Sequence, residues 1–336
     1  MIPETEVFLR NEVLNTTDDD FTETALKVFQ FQYLNNETYR KYCDLLHIKP
    51  AAITSIENIP YLPIQFFKTK EIKTTLFKED LLFESSGTTG SVNSHHFVKD
   101  KTLYEESFFK TFRQQYGHEK KYCIIGLLPS YLERKNSSLV YMVQNLITES
   151  ENINSGFYLN EYEQLKKILL ENEAAQQPTL LIGVTYALLD FAEKNKMALS
   201  YTTIMETGGM KGRREELSRS EVHKVLYENL GVRDIHSEYS MTELLSQAYS
   251  SVKGIFTAPS YMRILVRSDD DPFNVMQNED FAAGITGAVN IIDLANLYSC
   301  SFIATDDMGK LYPNQSFEIT GRLENSDMRG CSLMAL

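Results

Sequence analysis

The 336-residue chain is 43% hydrophobic and 24% charged, which is typical of a soluble globular protein with one large domain or two. Its formal net charge of -13 argues against a nucleic-acid partner, because binding the phosphate backbone needs a basic face. No apolar run reaches the roughly 20 residues of a membrane span, and the N-terminus lacks the apolar stretch of a signal peptide. We therefore expect a cytoplasmic protein with no integral membrane segment.

The four cysteines have no Cys-x-x-Cys spacing, so neither a zinc knuckle nor a redox dithiol is indicated. They are Cys43, Cys123, Cys300 and Cys331.

Helical periodicity runs from residue 20 to residue 47. The following stretch contains Pro60 and Pro63, which predict an extended connector over residues 56–72. Short apolar runs then alternate with helical patterns, and this alternation predicts an α/β fold with largely parallel strands. The predicted strands are 122–128, 179–184 and 233–240, and the predicted helices are 138–149, 162–174 and 214–231.

After about residue 255 the pattern changes to strands alone, which predicts an antiparallel, barrel-like β-rich region. We expect residues 1–320 to form one large domain, α/β up to about residue 255 and β-rich after it. Residues 321–336 are expected to form a hinge-like tail.

Hydroxyl side chains and two glycines crowd the stretch FESSGTTGSVNS, residues 83–94. Such residues disfavour helix and strand alike, so the stretch is predicted to be a loop. Its backbone N–H groups and hydroxyls can surround phosphate oxygens, although no Walker lysine follows. The loop is therefore either a phosphate site or a polar hairpin tip. Of the next residues, His95 and His96, at most one can face the loop, because neighbours on a strand point to opposite faces.

Two further stretches carry polar groups suited to a nucleotide. EYSMTE, residues 238–243, lies at the end of a predicted strand, where α/β sheets bind ligands. TDDMG, residues 305–309, precedes ITGR, residues 319–322, and acidic oxygens followed by an arginine can hold a ribose or a phosphate. Each stretch alone is equally compatible with a helix cap or a surface turn.

In this order the three stretches resemble the phosphate loop, the Tyr-Gly-x-Thr-Glu motif and the Thr-Gly-Asp and Gly-Arg motifs of the adenylate-forming superfamily. That superfamily includes acyl-CoA synthetases, firefly-type luciferases and peptide-synthetase adenylation domains. A closer resemblance, from about residue 59 to the end, is to the Lux-type acyl-protein synthetases, which supply activated fatty acid to a reductase. It rests on IPYLPIQFFK, FESSGTTGSVNS, LPSYLERKNSSLVYM, TGGMKG, SMTELLSQAY, IIDLAN and GRLENSDMRGCSLM.

The resemblance implies a reaction in two steps. A carboxylate attacks the α-phosphate of ATP to give acyl-AMP and pyrophosphate, and a thiol then takes the acyl group. Thr242 would touch the α-phosphate and Glu243 would hold Mg²⁺. Asp307 would bind the ribose with help from Arg322. The other implied nucleotide-binding residues are Ser85, Ser86, Gly87, Thr88, Thr89 and Gly90 at the phosphates, and Gly208, Gly209 and Tyr239 around adenine.

The chain departs from the superfamily pattern at three points. Asp306 replaces the Gly of Thr-Gly-Asp, so either aspartate of the pair could meet the ribose, and Ser240 replaces the Gly of Tyr-Gly-x-Thr-Glu. The chain ends 14 residues after Arg322, so we expect the small C-terminal domain and its catalytic lysine to be absent. Lys211 is a candidate to replace that charge beside pyrophosphate, or else a solvated residue.

Cys331 is the candidate acyl acceptor. Arg329 can stabilise its thiolate, Gly330 frees the backbone, and the resemblance implies transfer to a cysteine in this region. The alternative is a small buried apolar residue. Expected partners are a fatty or other carboxylic acid and an acyl-acceptor or reductase protein. Two other functions stay open: a CoA ligase of the phenylacetate type, and a non-catalytic nucleotide-binding protein.

Overall fold

The computed structural model describes residues 4–85, 92–128, 136–159, 161–208, 217–232, 234–276 and 283–323. The α-helices in these residues are α1 (Glu4–Glu12), α2 (Phe21–Asn35), α3 (Glu37–Leu45), α4 (Phe66–Thr69), α5 (Lys101–Tyr116), α6 (Ser138–Ser150), α7 (Tyr162–Ala174), α8 (Thr185–Lys194) and α9 (Arg219–Leu230). The strands are β1 (Leu62–Pro63), β2 (Leu81–Glu84), β3 (His95–Val98), β4 (Cys123–Leu127), β5 (Gly156–Phe157), β6 (Thr179–Gly183), β7 (Thr202–Glu206), β8 (Ile235–Tyr239), β9 (Ala248–Ser250), β10 (Met262–Arg267), β11 (Ile285–Asp293), β12 (Phe302–Leu311) and β13 (Phe317–Arg322).

The chain divides into two compact units. The first comprises the described residues of Met1–Phe108, Ser240–Gln247 and Thr257–Asp327, and the second those of Phe109–Tyr239 and Ala248–Phe256. Among the described residues, no helix is both long and apolar enough to cross a membrane.

The first unit is built around β12. This strand pairs antiparallel with β11 and β13 and parallel with β1, and β10 extends the sheet beyond β11. The predicted antiparallel β-rich region is therefore confirmed. In the described residues its strands form an open sheet and not a closed barrel. β2 and β3 form a separate antiparallel hairpin that flanks the predicted phosphate loop.

The helix predicted from residue 20 to residue 47 is present as two helices, α2 and α3. Asn36 separates them and caps the second, because its side chain accepts a hydrogen bond from Tyr39 N. The apolar positions of α2 face the core, where the Phe29 ring lies 6.1 Å from that of Phe302. The 3.6-residue period was thus a sound guide to the buried face.

The prediction of an extended connector over residues 56–72 is wrong at two places, because Ile56–Asn58 form a 3₁₀ helix and α4 lies in the second half. Pro63 lies in β1 and pairs with Ala304, but α4 begins at Phe66, only three residues later. A proline excludes a helix on its N-terminal side and leaves the residues after it free to turn. Burial of Phe67 on this short helix supplies the stabilisation.

The second unit is a six-stranded sheet in the order β5-β4-β6-β7-β8-β9, parallel except for β9. The predicted strands and the helices predicted at 138–149 and 162–174 are confirmed, and every residue of β4 and β6 is buried. The helix predicted at 214–231 begins only at Arg219, because Ser218 is its N-cap and forms a capping box with Glu221. The parallel order places the ends of β6, β7 and β8 at one edge of the sheet.

We predict that Gly126→Ala destabilises the protein by about 1–3 kcal/mol, because overpacking a filled core carries such a cost. Gly126 lies in β4, and a Cβ there would approach Phe157 Cδ1 to 2.5 Å. Gly321→Ala is the matched control, since among the described residues no atom beyond its chain neighbours lies within 4 Å of a Cβ at this strand position. Urea unfolding of the three proteins tests this. Equal midpoints for the two variants would contradict the packing described for β4.

Candidate functional site

The site residues predicted from the sequence fall into two groups. Seven lie in the described parts of the chain: Ser85, Gly208, Tyr239, Thr242, Glu243, Asp307 and Arg322. The others lie outside the described residues: Ser86, Gly87, Thr88, Thr89, Gly90, Gly209, Lys211 and Cys331. Because the described members belong to different units, each unit is considered by itself.

Ser85 stands at the base of the predicted phosphate loop in the first unit. Its backbone N–H donates to Ser94 O at 3.0 Å, and its Oγ accepts from Ser94 N at 2.8 Å. The two serines thus close the β2–β3 hairpin reciprocally. Because the Ser85 oxygen already accepts one bond, its O–H donor is the part best suited to a phosphate oxygen.

Thr242 and Glu243 lie in a turn of the first unit that belongs to neither helix nor strand. Glu243 is 3% exposed. Two buried side chains bond the carbonyls of this dipeptide: His96 Nδ1 lies 2.8 Å from Thr242 O, and Asn296 Nδ2 donates to Glu243 O at 2.6 Å. Because the carbonyls can only accept, the His96 hydrogen is on Nδ1.

His96 is the histidine that faces inward, and His95, on the other face of β3, is half-exposed beside Glu84. Burial lowers the pKa of His96, although the Thr242 carbonyl, Glu243 and the Asn296 side chain act in the opposite direction. Its imidazole is therefore neutral near pH 7. The two side chains lie on opposite faces of β3, as expected for neighbours on a strand; that one of them faces the predicted loop stays a prediction.

Asp293 bonds the residues that follow Glu243. It is fully buried at the end of β11 and accepts hydrogen bonds from Leu245 N at 2.8 Å, from Ser246 N at 3.0 Å and from Ser246 Oγ at 2.5 Å. Ala295 N donates to it at 3.2 Å. Burial raises the pKa of Asp293 to about 6, against these hydrogen bonds, which favour the ionised form. The sequence analysis assigned no role to Asp293 or Asn296, although both belong to the segment IIDLAN.

The acidic pair of β12 surrounds Arg322 in the first unit. Asp307 and Arg322 are opposite each other in the β12–β13 pairing, and Arg322 Nε lies 3.6 Å from Asp307 Oδ1. Asp306 accepts from Arg322 Nη2 at 3.2 Å and from Gln65 Nε2 at 2.6 Å. Both oxygens of Asp306 therefore already have protein partners.

Glu206 organises the carboxyl edge of the sheet in the second unit. Its Oε2 accepts from Gly208 N at 2.8 Å and its Oε1 accepts from Ser237 Oγ at 2.6 Å. Gly208 has a φ of +71°, a conformation in which a side chain is strained. Arg219 Nε lies 3.7 Å from Glu206. Glu206 was not predicted as a site residue; its signal in the sequence is a carboxylate at the end of a buried strand.

The aromatic ring of Tyr239 is nearly buried at the end of β8, 5.8 Å from the ring of Phe256. His236 lies three residues earlier in β8, and its Nδ1 is hydrogen-bonded to Tyr116 Oη at 3.0 Å. Burial lowers the pKa of His236. Its predicted place as a strand residue is confirmed by β8.

Residues 14–335 match the model of a family described as acyl-protein synthetase, LuxE. The chain is 25% identical over 336 residues to a long-chain-fatty-acid–luciferin-component ligase of Aliivibrio fischeri, with 91% of this chain and 85% of that protein covered. A ligase of the same name from Vibrio harveyi is 22% identical over 335 residues, with 91% and 84% covered.

Two solved structures have a similar fold. A 2-hydroxyisobutyryl-CoA ligase in complex with 2-HIB-AMP and CoA superposes with a TM-score of 0.61 at 12% identity, over 98% of this chain and 71% of that one. ATP-bound MatB from Rhodopseudomonas palustris superposes with a TM-score of 0.53 at 16% identity, over 74% of this chain and 50% of MatB. The predicted α/β fold of the adenylate-forming enzymes, with its β-rich C-terminal region, is confirmed.

The raised pKa of Asp293 predicts a specific pH dependence of stability. The pKa of an aspartate in the unfolded chain is about 3.9, so the folded protein binds the Asp293 proton more tightly. The contribution of Asp293 to the free energy of unfolding therefore falls as the pH rises through about 6. The stability difference between wild type and Asp293→Asn should therefore be about 2 kcal/mol larger at about pH 4.5 than at about pH 7. Urea unfolding at both pH values, with the exposed Asp19→Asn as control, tests this. A difference that is constant with pH would contradict it.

Proposed function

The chain belongs to the LuxE family of acyl-protein synthetases, and on that premise we propose that it adenylates a long-chain fatty acid with MgATP and transfers the acyl group to a cysteine. The predicted class is confirmed: the protein is a ligase that carries out ATP-dependent acid activation and acyl transfer. The choice of a long-chain fatty acid is supported by the names of the two relatives.

The observation that carries the site assignment is the state of Glu243. It is buried, and within the described part of the chain no hydrogen bond or ion pair reaches its carboxylate. A carboxylate on so little-exposed a side chain is favourable only where water, another part of the chain or a bound cation reaches it, and we assign that place to the cation. Thr242, beside it, is only half-buried and supplies a hydroxyl for the α-phosphate.

The residues fit Mg²⁺. This ion is usually held by one or two carboxylates together with substrate phosphates and waters. Glu243 supplies one carboxylate, and the described residues contain no group of three or more His, Cys, Asp or Glu that would form an all-protein cage. When bound, Mg²⁺ neutralises charge on the triphosphate.

Asp307 and Arg322 bind the ribose in this proposal. Asp306, whose two oxygens accept from Gln65 and Arg322, is the alternative aspartate. The roles of the phosphate-loop residues, of Gly208 and Tyr239 at adenine, and of Lys211 at pyrophosphate stay predictions.

Cys331 is the proposed acyl acceptor, and the state of the other three cysteines supports this choice. Cys43, Cys123 and Cys300 are buried. Burial raises the pKa of all three thiols, that of Cys43 to about 12. A thiol is nucleophilic only as the thiolate, so none of the three is suited to attack acyl-AMP. A reductase that receives the acyl group from Cys331 and a cytoplasmic location stay part of the proposal.

Glu243→Gln should abolish most of the fatty-acid-dependent exchange of labelled pyrophosphate into ATP, because it keeps the size of the side chain and removes the charge that binds Mg²⁺. A loss of about 10²-fold or more is expected for a lost transition-state contact of this kind. The melting temperature should change little, since no described hydrogen bond is removed. Glu71→Gln, at an exposed position, is the control. Full exchange activity in Glu243→Gln would remove Glu243 from the site.

Cys331→Ser should still make acyl-AMP but should not retain label from a radioactive fatty acid and ATP. In the wild type, neutral hydroxylamine should release that label, as expected for a thioester. Cys300→Ser serves as the control because its thiol is buried; any folded Cys300→Ser protein should keep the label. Hydroxylamine-sensitive labelling of Cys331→Ser would place the acceptor elsewhere.

A further inference from the structure

The turn that carries Thr242 and Glu243 places backbone N–H and C=O groups in the interior without the partners of a helix or a sheet. Residues 242–246 lie between β8 and β9 and belong to neither helix nor strand, and residues 243–246 are buried. Backbone groups in such a segment have no ladder partners, yet buried N–H and C=O groups need partners. Side chains of the first unit supply them.

We infer that His96, Asn296 and Asp293 are positioning residues that fix the backbone of residues 242–246 and thereby direct the Glu243 carboxylate. His96 bonds the carbonyl of residue 242, Asn296 that of residue 243, and Asp293 the N–H groups of residues 245 and 246. The inference rests on the proposed role of Glu243 and assigns a function to the segment IIDLAN, which carries two of the three residues.

Each of His96 and Asn296 has one buried polar atom that makes no hydrogen bond in the described residues, which favours a positioning role over simple core packing. With the hydrogen on Nδ1, His96 Nε2 and Asn296 Oδ1 are buried and make no hydrogen bond in the described residues. The Asn296 side chain nevertheless interacts with His96 as an acceptor and favours its protonated form. His96 is 1% exposed and Asn296 is 0% exposed. An apolar side chain would avoid both buried unpaired atoms. In the ground state each of the two polar side chains makes one hydrogen bond in the described residues, and in both cases the acceptor is a carbonyl of the turn.

The geometry of the His96 bond gives a sharp test. The amide nitrogen of asparagine occupies nearly the position of histidine Nδ1, whereas that of glutamine reaches the position of Nε2. His96→Asn should therefore keep the bond to Thr242 O, and His96→Gln should lose it. Both variants remain polar and smaller than or similar to histidine, so a difference between them reports the bond itself.

The experiment measures fatty-acid-dependent pyrophosphate–ATP exchange at a range of Mg²⁺ concentrations, together with circular dichroism and melting temperature. For His96→Gln we expect exchange at saturating ATP to fall about tenfold and the Mg²⁺ requirement to rise, because the carboxylate is no longer held. His96→Asn should stay within about threefold of wild type. His95→Gln, on the exposed face of the same strand, should match wild type.

A second variant covers the case in which His96→Gln folds poorly. Asn296→Asp has the same shape but places an oxygen against Glu243 O where Nδ2 now donates, so it should also lower exchange and raise the Mg²⁺ requirement. Equal activity of His96→Gln and His96→Asn, or an unchanged Mg²⁺ requirement in folded Asn296→Asp, overturns the inference. Glu243→Gln assayed in parallel separates the two ideas: if it alone retains full activity, the proposed function of Glu243 fails, and if it alone loses activity, only the positioning fails.

Discussion

Every buried backbone polar group needs a hydrogen-bond partner, and in the first unit residues 242–246 must find such partners outside any helix or strand. The turn is buried, but it lies between strands and cannot draw on a ladder. Asp293 meets the need by accepting two backbone N–H groups and the Ser246 hydroxyl, and it remains in the core despite the cost of burying a carboxylate. The polar residues at the end of β11 are thus a consequence of the irregular turn they support.

In the second unit, too, a buried carboxylate accepts hydrogen bonds from a loop that follows a strand. Its parallel strands end at one edge, and the loops that follow must leave the sheet without strand partners. Glu206 joins the loop at Gly208 to the neighbouring strand through Ser237. The adjacent Arg219 compensates the buried charge at 3.7 Å. In both units a carboxylate at the end of a strand holds a loop that the sequence motifs associate with nucleotide.

The regular elements and the family motifs were predictable from the sequence because their signals are local. The helix at residues 162–174 has the bounds that its apolar periodicity predicts, and Thr242 and Glu243 were recognised from six consecutive letters. The partners of those motifs were not predictable, because Asp293 bonds a residue 48 positions away and Asn296 one 53 positions away. A polar residue at a strand end gives no sign of which distant backbone it will meet. The short helix α4 was missed for a related reason, since burial of Phe67 outweighs the two nearby prolines.

In the proposed reaction a carboxylate oxygen of the fatty acid attacks the α-phosphorus of ATP. The most direct measurement is to supply the acid labelled with ¹⁸O in its carboxylate and to analyse the AMP by mass spectrometry after acyl transfer. Because the bridging oxygen of acyl-AMP stays with the phosphate when the acyl group leaves, the account predicts AMP that contains one ¹⁸O atom, with pyrophosphate as the other product. Unlabelled AMP, or ADP and phosphate in its place, would contradict the account.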